Sequence, residues 1–280
     1  FNFFADTTQF VPLKKYLLQN LKMYFVPMLN PDGAERYTRR TALKIDLNRD
    51  ALRLQNREAR FLKRLQNKLK PMFGFNLHDQ NSLYTTGKTF KTATISVLLP
   101  AFNRKKDINN VRERGMKVIA DMHSKLNVFI PGHIGRYDDE FEPRAFGDNF
   151  VKWGTSSILI ESGGWKDDTE KQFVRKMNFI AILTGLYSMA SEHYANYSID
   201  DYFAIPENEN YLYDIIVRNI KTNIQDSTIV LDYGINQIET TTKTGDVYYR
   251  GEITEAGDLS TFFGNDDYCE HPNIHKYILN

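Results

Sequence analysis

Short apolar runs alternate with longer amphipathic segments along the first two-thirds of this chain. The short runs predict β-strands at 22–28, 73–78, 92–100 and 156–160. Stretches with an apolar stripe at helical spacing predict helices at 8–21, 48–70, 105–126 and 169–194. Strands that alternate with helices of this length are typical of a parallel or mixed sheet that is covered by helices on both faces.

The pattern changes after Asn196. Apolar and polar residues alternate with period two over 228–254, with a turn signal at Gly245-Asp246, which predicts β-meander or sandwich structure. We therefore predict an α/β fold with a mixed, largely parallel sheet flanked by helices, and a smaller C-terminal β-rich region. The predicted division is a catalytic domain over 1–196 and a β-rich domain over 197–280, with a linker at 197–210.

Composition removes several classes of function. Lysine and arginine total 36 and aspartate and glutamate total 35, so the formal net charge of +1 argues against a nucleic-acid partner. No run of about 18 apolar residues is present, so we predict no membrane span and no membrane partner. Cys269 is the one cysteine of the 280 residues, which excludes an intrachain disulfide and a thiolate zinc cluster.

Polar residues suited to one chemistry follow three of the predicted strands. An arginine-rich loop follows the first strand, a histidine ends the second and a glutamate ends the last. The side chains concerned are Arg39, Asn48, Arg49, His78 and Glu161. Because ligands gather at the carboxyl ends of strands in an α/β sheet, we expect these groups to meet at one edge. Guanidinium groups bind carboxylates and oxyanions, imidazole binds zinc, and a carboxylate beside a metal-bound water can act as a general base.

Two short motifs indicate which family this arrangement resembles. Asn-Pro-Asp-Gly stands at 30–33 and Asp-Leu-Asn-Arg at 46–49, with Arg39 between them. In this order they resemble the zinc metallocarboxypeptidase family, which includes carboxypeptidase A and its bacterial relatives. The resemblance covers roughly residues 21–195.

The resemblance implies a role for each candidate residue. His78 would be a ligand of Zn²⁺, and Glu161 would be the general base. Arg39 would polarise the scissile carbonyl and stabilise the tetrahedral oxyanion. Asn48 and Arg49 would bind the substrate carboxylate. Tyr137 would be the mobile tyrosine that caps the substrate.

The implied reaction is zinc-dependent hydrolysis of an amide bond beside a free carboxylate. The substrate would be a peptide or an acyl-amino acid. Zn²⁺ would carry the attacking water. Positive charge would then stand where negative charge develops, and the bound carboxylate would fix the orientation of the substrate.

One departure from the family pattern concerns the metal. The family's other two zinc ligands come from a His-x-x-Glu motif, and no histidine of this chain has glutamate three residues later. We expect these two ligands to lie upstream of Phe1. A catalytic zinc takes about three protein ligands, so we predict weak or no zinc binding and no activity for the chain that begins at Phe1.

Three functions stay open from the residues. The first is a metallocarboxypeptidase. The second is a deacylase of small acyl-amino acids from the same superfamily, with which the trailing β-rich segment is compatible. The third is a non-catalytic module that binds carboxylates without a metal.

Overall fold

The computed structural model describes residues 2–6, 8–224, 227–242, 244 and 246–269. Within these ranges the α-helices are α1 Asn2–Ala5, α2 Val11–Asn20, α3 Pro31–Arg36, α4 Arg57–Leu69, α5 Asn110–Leu126, α6 Phe146–Lys152, α7 Gln172–Ser191 and α8 Ile199–Phe203. The strands are β1 Phe73–Asp79, β2 Thr85–Thr86, β3 Ile95–Leu98, β4 Ile134–Arg136, β5 Ser156–Ser162, β6 Asn208–Glu209, β7 Leu212–Ile224, β8 Ser227–Thr241, β9 Val247–Gly257 and β10 Phe263–Cys269. Gly245 of the predicted turn and residues 270–280 of the predicted C-terminal region lie outside the described residues.

A mixed sheet forms the centre of the α/β part. Its strand order is β1–β5–β3–β4, with β1 parallel to β5, β5 antiparallel to β3, and β3 parallel to β4. Strands β3 and β5 lie inside the sheet and are buried along almost their whole length. Burial on both faces explains why apolar residues are frequent in these two strands, and the predicted fold class is confirmed.

Side chains that alternate along the strands divide the sheet into two faces. One face packs against α5 and α7 in the main core, whose strand members include Phe75, Ile95, Val97, Ile158 and Ile160. The intervening positions therefore project from the opposite face. His78, Glu161 and Ser96 occupy such positions. The apolar face of the sheet thus secures the strands, while the opposite face presents polar groups.

The apolar run 22–28 forms no strand in the described structure, so this prediction is wrong. Tyr24, Phe25 and Met28 are at least half exposed. An extended segment becomes a strand when a neighbouring strand completes its hydrogen-bond ladder. None of the sheets in the described residues includes this run.

The predicted helix at 48–70 begins later than expected, at Arg57. The carboxylate of Asp50 accepts hydrogen bonds from the backbone N–H groups of Gln55 and Asn56, at 2.9 and 2.8 Å. Leu54 has a φ of 53°, which no α-helix accommodates. Asp50 therefore closes a turn that separates the Asp-Leu-Asn-Arg motif from α4.

The segment 197–210, predicted as a linker, packs against the α/β part. Tyr202 and Ile205 are each 1% exposed and belong to the main core. Beyond it, the described β-rich region is one sheet of order β10–β7–β8–β9. The predicted β-rich region is confirmed, while its separation as a domain at residue 197 stays a prediction. No described helix combines the length and the apolar character that a bilayer crossing requires.

A closed ring of side-chain hydrogen bonds connects this segment to the central sheet. The amide of Gln80 donates to Ser96 Oγ at 2.8 Å, Ser96 donates to Asn208 Oδ1 at 2.9 Å, and Asn208 Nδ2 donates to Gln80 Oε1 at 2.9 Å. Gly135 lies next to Ser96 in the β3–β4 register, and its missing side chain leaves the space that the Asn208 amide fills. Each group in the ring donates and accepts, so all three polar side chains are satisfied inside the protein.

We predict that Gly135→Ala lowers the free energy of unfolding by about 1–3 kcal/mol, because overpacking strains a filled site. A Cβ at Gly135 would lie 2.1 Å from Asn208 Oδ1. Denaturant unfolding would measure the loss. Gly257→Ala is the matched control, since a Cβ there would meet nothing within 4 Å. If the clash with Asn208 is the cause, adding Asn208→Ala to Gly135→Ala must cost less than Asn208→Ala costs alone.

Candidate functional site

His78 and Glu161 lie side by side on neighbouring strands. They are direct partners in the parallel register of β1 and β5, and both stand near the ends of these strands. Partners in a register project to the same face of a sheet. Ser96 of β3 is the next partner in the same row, on the other side of Glu161. The row brings the predicted imidazole and carboxylate together at the strand ends.

Glu161 is a buried carboxyl group. The residue is 7% exposed, and burial raises its pKa to about 7, with a further increase from Asp79 and an opposing effect from Arg39. Desolvation disfavours the ionised carboxylate, so the group holds its proton to near neutral pH. Within the described residues no hydrogen-bond donor reaches the Glu161 side chain, and the neighbouring Ser96 hydroxyl donates to Asn208 instead. A carboxyl group that titrates near neutrality can accept or return a proton in a reaction.

His78 is held as a neutral imidazole. Burial lowers its pKa, and the positive charges of Arg39 and Arg49 lower it further, while Asp46 has the opposite effect. Its Nε2 lies 3.0 Å from Asn76 Oδ1. A neutral imidazole is the form that ligates a metal.

Arg39 connects the basic loop to this row. Its charge lowers the pKa values of both His78 and Glu161, so the guanidinium acts on both groups. Arg39 Nε lies 2.9 Å from Asp46 Oδ2, and Asp46 Oδ1 accepts a hydrogen bond from the backbone N–H of Asn48 at 2.9 Å. Asp46 thereby fixes the arginine and the Asn48 turn to each other. A cavity of about 260 Å³ adjoins Arg39, and it is lined by Arg36, Thr38, Arg39, Arg40, Thr41 and Lys44.

Asn48 and Arg49 lie on a short 3₁₀ turn over Leu47–Arg49. Asn48 Oδ1 accepts a hydrogen bond from the backbone N–H of Phe146 at 3.0 Å, and Asn48 Nδ2 donates to no described residue. Arg49 Nε lies 3.2 Å from Glu142 Oε2, and Arg49 Nη1 donates to the Asn48 carbonyl at 2.8 Å. Asn48 and Arg49 are thus consecutive on one turn, and the Arg49 guanidinium bonds the backbone of Asn48.

Tyr137 is a partly buried residue that contacts Tyr84. Its pKa rises to about 12, first because the side chain is buried and then because Tyr84 and Glu161 are close. The rings of Tyr137 and Tyr84 meet edge to face with centroids 6.1 Å apart. Tyr137 therefore stays protonated at neutral pH and can donate a hydrogen bond.

The described residues do not by themselves fit a catalytic zinc. None of their histidine, cysteine, aspartate and glutamate side chains form a group of three that could hold a metal ion. His78 is the one predicted ligand that this part of the chain provides. Because a catalytic zinc takes about three protein ligands, the ligand set here is incomplete.

Sequence reasoning missed three residues that shape this site. Glu142 contacts Arg49, Tyr84 contacts Tyr137, and the charge of Asp79 raises the pKa of Glu161. Asp79 directly follows His78, so its proximity could have been inferred from the end of the strand. Glu142 lies far from Arg49 along the chain, and no motif in the sequence connects the two.

Comparison with known proteins finds a partial relative. No family model matches the chain. A probable carboxypeptidase 2 from Arthroderma benhamiae is 28% identical over 114 residues, which is 39% of this chain and 21% of that protein. The predicted resemblance to carboxypeptidases is confirmed by this relative, although the match spans only about a fifth of its length.

Two solved structures are similar at a lower level. A putative carboxypeptidase A from Shewanella denitrificans has 15% identity and a TM-score of 0.45, and the match covers 68% of this chain and 50% of that one. Murine aminoacylase 3 has 14% identity and a TM-score of 0.35, with 84% of this chain and 69% of that one covered. Because both structural similarities are low, the fold assignment depends on the observed sheet. The resemblance to carboxypeptidases depends on the sequence match.

We predict that Glu161→Gln removes a pH-dependent loss of stability in the metal-free protein. The pKa of Glu161 is raised from 4.5 to about 7, so the folded state holds a proton that the unfolded state releases within this window. The wild-type protein therefore loses stability as the pH rises through the window, relative to Glu161→Gln. Denaturant unfolding of both proteins at about pH 5 and about pH 8, with a chelator present, measures the difference. A constant difference between the two proteins at both pH values would contradict the raised pKa.

Proposed function

We propose that this protein is a carboxypeptidase-like hydrolase whose site binds a peptide or an acyl-amino acid through a free carboxylate. The observation that carries the proposal is the in-register pair His78 and Glu161, with Arg39 acting on both. The name of the Arthroderma relative supports the same reaction class.

The arrangement supports a division of roles around one bond. We assign the substrate carboxylate to Arg49 and the amide of Asn48, because these two donors are adjacent on one turn. Arg39 then provides positive charge for the oxygen of the scissile amide. Glu161 accepts a proton from the attacking water, for which a pKa of about 7 is well matched. We assign Tyr137, whose pKa is raised by burial, by Tyr84 and by the charge of Glu161, to donate a hydrogen bond to the bound substrate.

Zinc enters this proposal with one ligand from the described residues. When bound, Zn²⁺ would supply an activated water, and His78 would be the ligand that this part of the chain contributes. A non-catalytic carboxylate-binding module is the second candidate, and the incomplete ligand set of the described residues favours it.

We predict that Arg49→Ala weakens the binding of ligands with a free carboxylate by about tenfold or more, since charged hydrogen bonds are worth about 1.5–3 kcal/mol. Isothermal titration with N-benzoylglycine measures this loss, and N-benzoylglycine amide shows the affinity that remains without the charge. Arg64→Ala is the matched control, because this substitution removes the same charge from an exposed position on α4. Equal binding of the acid and the amide by the wild-type protein would disprove the proposal.

We predict that zinc has no site of catalytic affinity in this chain. Titration against a chromophoric chelator is expected to give similar zinc affinities for the wild-type protein and His78→Ala, within about tenfold, because one histidine cannot replace a set of about three ligands. His123→Ala is the control for loss of a histidine elsewhere. Stoichiometric zinc that is lost in His78→Ala and retained in His123→Ala would show that the chain completes the ligand set.

A comparison of substrates separates the hydrolase from the binding module, and within the hydrolase the peptidase from the deacylase. Hydrolysis of a carboxyl-terminal peptide by the protein with added zinc would support the peptidase, and hydrolysis of N-acetyl amino acids would support the deacylase. Carboxylate binding without turnover of either substrate would support the binding module.

A further inference from the structure

Arg49 already has a carboxylate beside it. Its Nε lies 3.2 Å from Glu142 Oε2, and both side chains are partly exposed. This is the guanidinium to which the proposed function assigns the substrate carboxylate. Glu142 therefore stands where a ligand would compete for the same charge.

Glu142 is held more firmly by a second arginine. Arg144 Nη2 donates to Oε2 at 2.6 Å, Arg144 Nε donates to Oε1 at 2.9 Å, and the backbone N–H of Arg144 donates to Oε1 at 3.0 Å. Arg49 makes one N–O contact with the same carboxylate. The hydrogen bonds and charge of Arg144 also contribute most to lowering the pKa of Glu142 to about 2, so the group is ionised at any working pH. Glu142 therefore binds Arg49 more weakly than it binds Arg144.

The backbone around Glu142 is fixed to the Arg49 turn. The Arg144 carbonyl accepts a hydrogen bond from the Ala51 N–H at 3.0 Å, and Asn48 Oδ1 accepts one from Phe146 N–H. The N–H of Glu142 donates to Asp148 Oδ1 at 3.0 Å. These bonds on both sides of Arg49 keep the carboxylate within reach of it.

We propose that Glu142 is an internal competitor for Arg49, which a ligand carboxylate displaces while Arg144 retains Glu142. The inference rests on the proposed function, because it concerns the same carboxylate site. Displacement leaves no charge unpaired: the ligand pairs with Arg49, and Glu142 keeps its three contacts with Arg144. A neutral ligand cannot displace Glu142, since it offers no charge in exchange. The contact thereby lowers the affinity of the site for ionised ligands and leaves its affinity for neutral ligands unchanged.

Glu142→Gln tests this inference with little change in side-chain shape. We expect it to tighten the binding of N-benzoylglycine by up to about fivefold, the range of an exposed ion pair, and to leave the amide unchanged. Glu140→Gln is the matched control, because Glu140 is exposed in the same loop, carries the same charge and has no ion pair with a described residue. The gain in affinity must also be absent when Glu142→Gln is combined with Arg49→Ala. Arg144→Gln is expected to act in the opposite direction, since Glu142 then pairs with Arg49 alone.

A second measurement uses the wild-type protein and therefore does not depend on the folding of a variant. The Nε–H resonances of Arg49 and Arg144 can be followed by NMR in the wild-type protein. We expect saturating N-benzoylglycine to shift the Arg49 signal and to leave the Arg144 signal in place.

The outcomes separate this inference from the proposed function. Weaker or unchanged binding of N-benzoylglycine by Glu142→Gln, or an equal gain in affinity in Glu140→Gln, would disprove that Glu142 competes for Arg49. Carboxylate binding by the wild-type protein would then still support the proposed function. Carboxylate binding by neither the wild-type protein nor Glu142→Gln would overturn both.

Discussion

The in-register pairing of β1 with β5 is the constraint on which the rest of this site depends. It places His78 beside Glu161 in one row and leaves both on the face of the sheet away from the main core. A shift of one residue would turn either side chain into the apolar face, because side chains alternate along a strand. Packing of α5 and α7 on that apolar face therefore fixes the chemistry of the opposite face.

Arginine and carboxylate side chains alternate in the site. Arg39 pairs with Asp46, and Arg49 and Arg144 share Glu142. Carboxylates of the chain thus compensate arginines that would otherwise repel each other. Such partly exposed pairs hold the side chains in place at little net free energy, so a ligand carboxylate can take the place of one partner.

The segment after α7 contributes to the site although its sequence suggested a linker. Asn208 completes the hydrogen-bonded ring with Gln80 and Ser96, and Gly135 leaves room for it. The ring engages the Ser96 hydroxyl next to Glu161, so the Glu161 carboxyl group stays buried without a hydrogen bond from any residue that the structure describes. The C-terminal sheet also reaches the basic loop, since the hydroxyl of Tyr37 donates to Glu239 of β8.

Residue patterns were sufficient for the α/β class, the buried strands β3 and β5 and the positions of His78 and Glu161 near strand ends, because apolar runs and periodicity report burial directly. The motifs at 30–33 and 46–49 were likewise sufficient for the resemblance to carboxypeptidases. The same patterns could not show that Asp50 stops a helix before Arg57, or that the run 22–28 joins none of the described sheets, since both depend on which groups lie nearby in the folded chain. The contact of Glu142 with Arg49 and the raised pKa of Glu161 emerge from the folded chain alone, because desolvation and charge pairing arise from residues distant in sequence that the fold brings together.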